Sequence, residues 1–122
     1  MASYTKGHRP DSFIRVHLAP ANAIGPGKAD LLEVIAETGS IAEAARRMGM
    51  SYRRAWSLVR ALNTAFTRAL VETRKGGPEG GSAALTATGR EVLRLYRAME
   101  AGAAEAIAGD IAAFRKLLAP PS

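Results

Sequence analysis

This sequence predicts a mainly α architecture with one small β hairpin and a long C-terminal helix, on three observations. Apolar residues return at helical spacing in four stretches, 28–38, 40–48, 51–66 and 87–118. Residues 70–85 break that rhythm with two short strand-like runs around a cluster of glycines. The chain, residues 1–122, has the length of a single domain.

Residues 1–11 read as a loose polar arm. Ser12 to Leu18 alternates apolar and polar, with Phe13, Val16 and Leu18 broken by Arg15 and His17, and reads as a strand. The run APANAIGPG that follows is a turn region. Lys28 to Thr38 carries Leu31, Leu32 and Ile35 on one helical face and Glu33 and Glu37 on the other, and Gly39 stops it.

Residues 40–66 read as two helices around a tight turn. Ser40 and Glu43 form the pattern S-x-x-E, a capping box in which two orphan N–H groups are satisfied reciprocally. Ile41, Ala44, Ala45 and Met48 then recur at helical spacing, and Gly49 stands where a left-handed residue closes a helix. Ser51 caps the next helix. On that helix Ala55, Leu58, Val59 and Leu62 share a core face. Arg53, Ser57 and Arg60 fall roughly opposite, with Arg54 and Trp56 flanking them. Arginine's fork of donors suits guanine edges and phosphate oxygens. Ser57 is short enough for the helix to approach a phosphate or a base edge. This is the layout of a helix-turn-helix, which lays its second helix in the DNA major groove. The plainer reading is a solvated cationic face. Trp56, roughly 100° from the centre of the core face, stands equally as a half-buried packing residue or as a contact.

Charge distribution favours the first reading. The chain has 17 Lys/Arg against 11 Asp/Glu, a net charge of +6. From Arg46 to Lys75 there are eight basic residues and one acidic residue, Glu72. Residues 76–122 carry five of each sign. A basic segment that coincides with a helix-turn-helix is the electrostatic footprint of a nucleic-acid reader, because neutralising phosphates releases condensed counterions.

Leu70 to Lys75 has strand character, and Ala83 to Leu85 can return as a short strand. Gly76, Gly77, Gly80 and Gly81 enclose Pro78 and Glu79 between them. A hairpin after a helix-turn-helix is a wing, so residues 70–85 complete a winged helix-turn-helix. Arg74 and Lys75 at its base are placed to reach phosphates or the minor groove. The alternative is a flexible loop without a role. The glycine run is no P-loop, since it lacks the G-K-[ST] ending.

Thr86 caps the last helix, and Gly89 in its first turn weakens the start. Val92, Tyr96, Met99 and Ala103 follow at spacings of four, three and four. Ile107, Ile111, Phe114 and Leu118 repeat the spacing with an offset of one. Gly102 and Gly109 near the join each weaken the helix by up to ~1 kcal/mol, so residues 87–118 are one bent helix or two. A stripe this long finds too little partner surface inside so small a domain. It predicts a dimerisation helix and a homodimer.

Other classes are poorly served. No run of 18 apolar residues exists to cross a membrane, and MASYTKGHRP has no apolar core of a secretory signal. The absence of cysteine excludes disulfides and thiolate metal sites and fits a cytoplasmic location. His8 and His17 stand apart from any carboxylate pattern that would make a metal site. No cofactor and no metal are expected.

At this point the residues resemble a known family. GSIAEAARRMGMSYRRAWSLVRALN, then LVETRKGGPEGGSAALTATG, then REVLRLY are similar to the N-terminal DNA-binding domain of the molybdate-responsive regulator ModE. They are more distantly similar to the LysR-type helix-turn-helix. The resemblance spans about Gly27 to Met99 and rests on S-Y-x-x-A-W at residues 51–56 together with the glycine-rich wing leading into L-T-x-x-G. It implies a winged helix-turn-helix that dimerises and binds a partly palindromic operator. The DNA-facing positions it implies are Ser51, Tyr52, Arg53, Arg54, Trp56, Ser57 and Arg60, with Arg74, Lys75, Gly76 and Gly77 in the wing. The full regulator carries molybdate-binding domains after this one, whereas this sequence ends at Ser122, so molybdate binding is not expected from this chain alone.

Three functions compete on this reading. The first is a dimeric, sequence-specific transcriptional regulator that reads double-stranded DNA in the major groove. The second is a winged-helix protein-interaction or RNA-binding module without operator specificity. An interaction module has no need of the basic stretch, and an RNA reader more often offers aromatic stacking platforms than seven scattered aromatics. The third is an enzyme. No paired carboxylates, nucleophile pattern or metal-ligand spacing supports one. The first is the expectation carried forward.

Overall fold

A computed structural model of the chain describes residues 23–76 and 81–121. The expected arm, the strand at 12–18 and the wing tip with Gly77 lie outside the described residues. Within them the order is α1 (Pro26–Thr38), α2 (Ile41–Met48), α3 (Tyr52–Ala65), β1 (Val71–Arg74), β2 (Ser82–Leu85) and α4 (Ala87–Arg115). The architecture is mainly α with a two-stranded antiparallel wing.

Local signals start and stop the helices. Pro26 stands in the first turn of α1, where its missing N–H costs nothing. The helix therefore begins two residues before the expected Lys28. Gly39 and Gly49 end α1 and α2 at φ 69° and 68°, the left-handed region that a side chain resists. The Ser40 hydroxyl accepts from the Glu43 N–H at 3.0 Å, and the Ser51 hydroxyl accepts from the Arg54 N–H at 3.0 Å. The capping box at Ser40 closes on one side only. Its own N–H goes to the Thr38 hydroxyl at 3.3 Å, while the Glu43 carboxylate turns to Arg46 at 3.0 Å and Arg47 at 3.7 Å. Two guanidinium groups one turn away outcompete a backbone N–H that already has a partner.

The long C-terminal helix is one continuous element from Ala87 to Arg115, with Gly102 and Gly109 inside it. It stops three residues short of the expected Leu118. Leu117 and Leu118 donate to the carbonyls of Phe114 and Arg115 at 3.0 and 3.2 Å, a tightened final turn. Pro120 follows, and its ring would strike the carbonyl four residues back in a continued helix.

The core gathers Leu31, Leu32, Val34 and Ile35 from α1 with Ala44 and Ala45 from α2. Ala55, Val59 and Leu62 of α3 join them, as do Leu70, Val71, Ala83 and Leu85 of the wing root. Tyr96 of α4 is fully buried among them. Leu58, expected on the core face, packs against this cluster half-buried. Buried aliphatic side chains of this size contribute roughly 1.5–3 kcal/mol each, so the wing root is held by the same core as the helices.

A polar clasp joins α1 to α4. The Arg97 guanidinium bonds Asp30 at 2.8 Å, Glu100 at 2.8 Å and Glu33 at 3.2 Å. Asp30 and Glu100 are buried. Burial acts against the Arg97 charge, but the hydrogen bonds it donates to Asp30 and Glu100, with the charges of Glu100 and Glu33, outweigh it and hold its pKa above the usual arginine value.

Candidate nucleic-acid interface

The outward face of α3 begins at its cap. Ser51 commits its hydroxyl to the first turn, so the Tyr52, Arg53 and Arg54 end of the helix is fixed in direction and carries no acidic residue. A helix N-terminus of that kind favours anions, because unsatisfied N–H groups and the aligned peptide dipoles point outward there. Arg53, Arg54, Ser57 and Arg60 are all exposed, on the side away from Ala55, Val59 and Leu62. Tyr52 is exposed as well, at 54%.

Trp56 resolves into a packing residue that also forms a wall. It is half-buried against the core cluster and meets Tyr52 edge to face, with ring centroids 6.3 Å apart and planes at 80°. Both rings line an open crevice of about 640 Å³. Its far wall is the wing, with Thr73, Arg74, Lys75, Gly76 and Ser82. Its floor is the start of α2, at Ser40, Ile41 and Ala42. The fold thus brings Tyr52, Trp56, Arg74, Lys75 and Gly76 to one cleft, while Arg53, Ser57 and Arg60 stay on the exposed ridge of α3 beside it.

The charge count changes once pairing is considered. Arg46 and Arg47 share Glu43, which removes much of their surplus. Among the described residues, Arg53, Arg54, Arg60, Arg68, Arg74 and Lys75 are exposed and carry no ion pair. Six of these cations thus lie on α3, on the turn after it and on the wing, while Arg90 and Lys116, exposed and likewise outside these ion pairs, stand at the two ends of α4.

The wing is anchored at both edges. Its register pairs Val71 with Leu85 and Arg74 with Ser82. On the outer side of β2, the Ala83 N–H donates to the Gly39 carbonyl at 2.9 Å. On the outer side of β1, the Asn63 side chain takes the place of a third strand. Its Oδ1 accepts from the N–H groups of Leu70 and Val71 at 2.9 and 3.0 Å, and its Nδ2 donates to the Val71 carbonyl at 3.0 Å. Sequence reasoning passed over Asn63. The signal was present: stepping by four along the buried row Ala55, Val59 arrives at an amide where an apolar residue belongs. The crevice floor at Ser40 to Ala42 was missed too, because those residues read only as a helix start.

Comparison with known proteins supplies relatives for this geometry. Residues 28–90 match the family described as bacterial regulatory helix-turn-helix protein, lysR family. The chain is 42% identical over 82 residues to the molybdenum-pterin-binding protein MopB of Rhodobacter capsulatus. It is 37% identical over 88 residues to the transcriptional regulator ModE of Haemophilus influenzae. It is 39% identical over 71 residues to the DNA-binding transcriptional dual regulator ModE of Escherichia coli K12. These stretches cover 67%, 72% and 58% of this chain, but 30%, 34% and 27% of the relatives.

Proposed function

The chain belongs to the lysR-type family of bacterial regulatory helix-turn-helix proteins, and from that premise we propose that it is a sequence-specific DNA-binding transcriptional regulator acting in the cytoplasm as a homodimer. One observation carries the reading: six exposed cations without an ion pair among the described residues lie on α3, on the turn after it and on the wing. In this reading α3 enters the major groove. Arg53, Ser57 and Arg60 face base edges, and Ser51, Tyr52 and Arg54 meet the backbone at the helix N-terminus. Trp56 with Tyr52 walls the cleft along which one DNA strand runs. Arg74, Lys75, Gly76 and Gly77 contact that strand or the minor groove from the wing. No enzymatic step is part of the proposal.

Homodimer formation is supported by exposed apolar side chains at the C-terminal end of α4 and in the turn after it. Phe114, Leu117 and Leu118 are 62%, 85% and 59% exposed. A two-fold pairing through such a helix sets two recognition helices about 34–36 Å apart, one DNA turn, and makes the operator an inverted repeat. The regulator names of the ModE relatives are consistent with operator binding. The molybdenum named for MopB carries no argument here, since the matched stretch is 30% of that protein. Among the described residues no helix is long and apolar enough to cross a membrane.

Selection from a random duplex library, followed by binding across a salt series, tests the reading. The expected result is an enriched inverted repeat, with a slope near −0.9 in log K against log salt for each phosphate contacted. Equal recovery of all duplexes, or a flat salt response, would overturn it.

A further inference from the structure

The amide of Asn63 makes three hydrogen bonds to two consecutive residues at the root of β1, at 2.9 to 3.0 Å. Asn63 is on the last turn of α3, the helix that carries Arg53, Ser57 and Arg60. Its partners open the strand that ends at Arg74. Among the described residues, and apart from the hydrophobic core, this amide is the hydrogen-bonded tie between the two cationic elements. An apolar residue would fill the space but leave the N–H groups of Leu70 and Val71 and the Val71 carbonyl without these partners.

Leverage makes that tie consequential. From Val71 to Arg74 a strand covers roughly 10 Å at about 3.3 Å per residue. A pivot of about 15° at the root would carry the Arg74 end some ~2.5 Å, several times the ~0.5 Å tolerance of a well-formed recognition contact. Among the described residues the opposite edge has one backbone hydrogen bond, from the Ala83 N–H to the Gly39 carbonyl, beside the burial of Ala83 and Leu85, so the polar ties that fix the strand direction lie mainly on the Asn63 side. We infer that Asn63 is a positioning residue that sets the angle between recognition helix and wing, so that Arg74 and Lys75 meet the backbone of a duplex already engaged by α3. The inference rests on the DNA-binding reading above and adds a residue that touches no DNA.

The experiment is a double-mutant cycle on the full chain, using the duplex that wild-type protein selects from a random library. Asn63→Ala should bind that duplex about tenfold more weakly, the equivalent of one lost charge-assisted contact. Its salt slope should fall toward that of Arg74→Ala/Lys75→Ala, which loses up to about 1.8 for two phosphates. Added to the Arg74→Ala/Lys75→Ala background, Asn63→Ala should change affinity by less than about twofold, within ordinary additivity error. Hydrogen exchange should show the Leu70 and Val71 amides losing protection while those of α3 keep theirs. If Asn63→Ala does not fold, Asn63→Gln retains the amide one methylene further out and should give the same coupling. A penalty that persists undiminished in the wing-mutant background would overturn the positioning role alone. Wild-type binding by Arg74→Ala/Lys75→Ala would sink both the wing's DNA contact and the role of Asn63.

Discussion

Gly89 and Leu70 are in closer contact than any side chain would allow: a Cβ built on Gly89 would run into the Leu70 carbonyl oxygen. That carbonyl accepts from the Thr86 N–H at 2.9 Å, and the Thr86 hydroxyl donates to the Ala69 carbonyl at 2.7 Å. The first turn of α4 is pressed against the root of the wing, which is why a helix-weakening residue stands there. Gly102, in the same helix, meets nothing within 4 Å.

The two glycines therefore predict opposite signs. Gly102→Ala should stabilise by about 0.5–1 kcal/mol through helix propensity alone. Gly89→Ala should destabilise by roughly 1–3 kcal/mol, because backbone must shift to admit the methyl. Urea unfolding of both variants measures this. Stabilisation by Gly89→Ala would refute the close approach.

Removing Arg97 should be costly. Asp30 and Glu100 are buried around its guanidinium, and Arg97→Ala takes away the charge they face. Breaking a buried pair on one side costs about 3–5 kcal/mol, seen as a large fall in denaturation midpoint. Arg94→Ala removes the 2.7 Å pair with Glu91, which is solvent-exposed, and should leave the midpoint unmoved. Equal effects from the two arginines would contradict the clasp.

On the α3 ridge, Arg53→Ala, Ser57→Ala and Arg60→Ala should leave unfolding curves unchanged, because these side chains are exposed. An arginine that reads a base should cost roughly 1–3 kcal/mol on the selected duplex and relax preference at one position. One that meets phosphate should weaken all duplexes alike and lower the salt slope by about 0.9. Unchanged binding by all three variants would remove α3 from the interface.

Sedimentation equilibrium should find the intact chain dimeric at tens of micromolar. Phe114→Asp combined with Leu118→Asp, on side chains 62% and 59% exposed, should shift it to monomer and weaken operator binding together. A monomeric wild-type chain would leave distal α4 without the proposed role.

Helix ends, the two left-handed glycines and the exposed face of α3 were legible in the sequence because each depends on residues within about one turn of one another. Ser40, Ser51 and Gly49 cap where their spacing says, and Arg53, Ser57 and Arg60 point outward as periodicity requires. Composition alone located the charge surplus, though not that Glu43 takes up part of it. The remaining features needed chain segments far apart to meet. Arg97 and Asp30 are 67 residues apart, and nothing local in either marks the pair. Thr86 reaches back 17 residues to Ala69. Gly89 weakens its helix when read locally and makes sense only with Leu70 packed against it, and Asn63, which the sequence reading passed over, gains its hydrogen-bond partners only when β1 is brought beside it. Periodicity is a short-range property of one chain segment. The angle between the wing and α3 is set by contacts across the fold, and only packing brings those partners within reach.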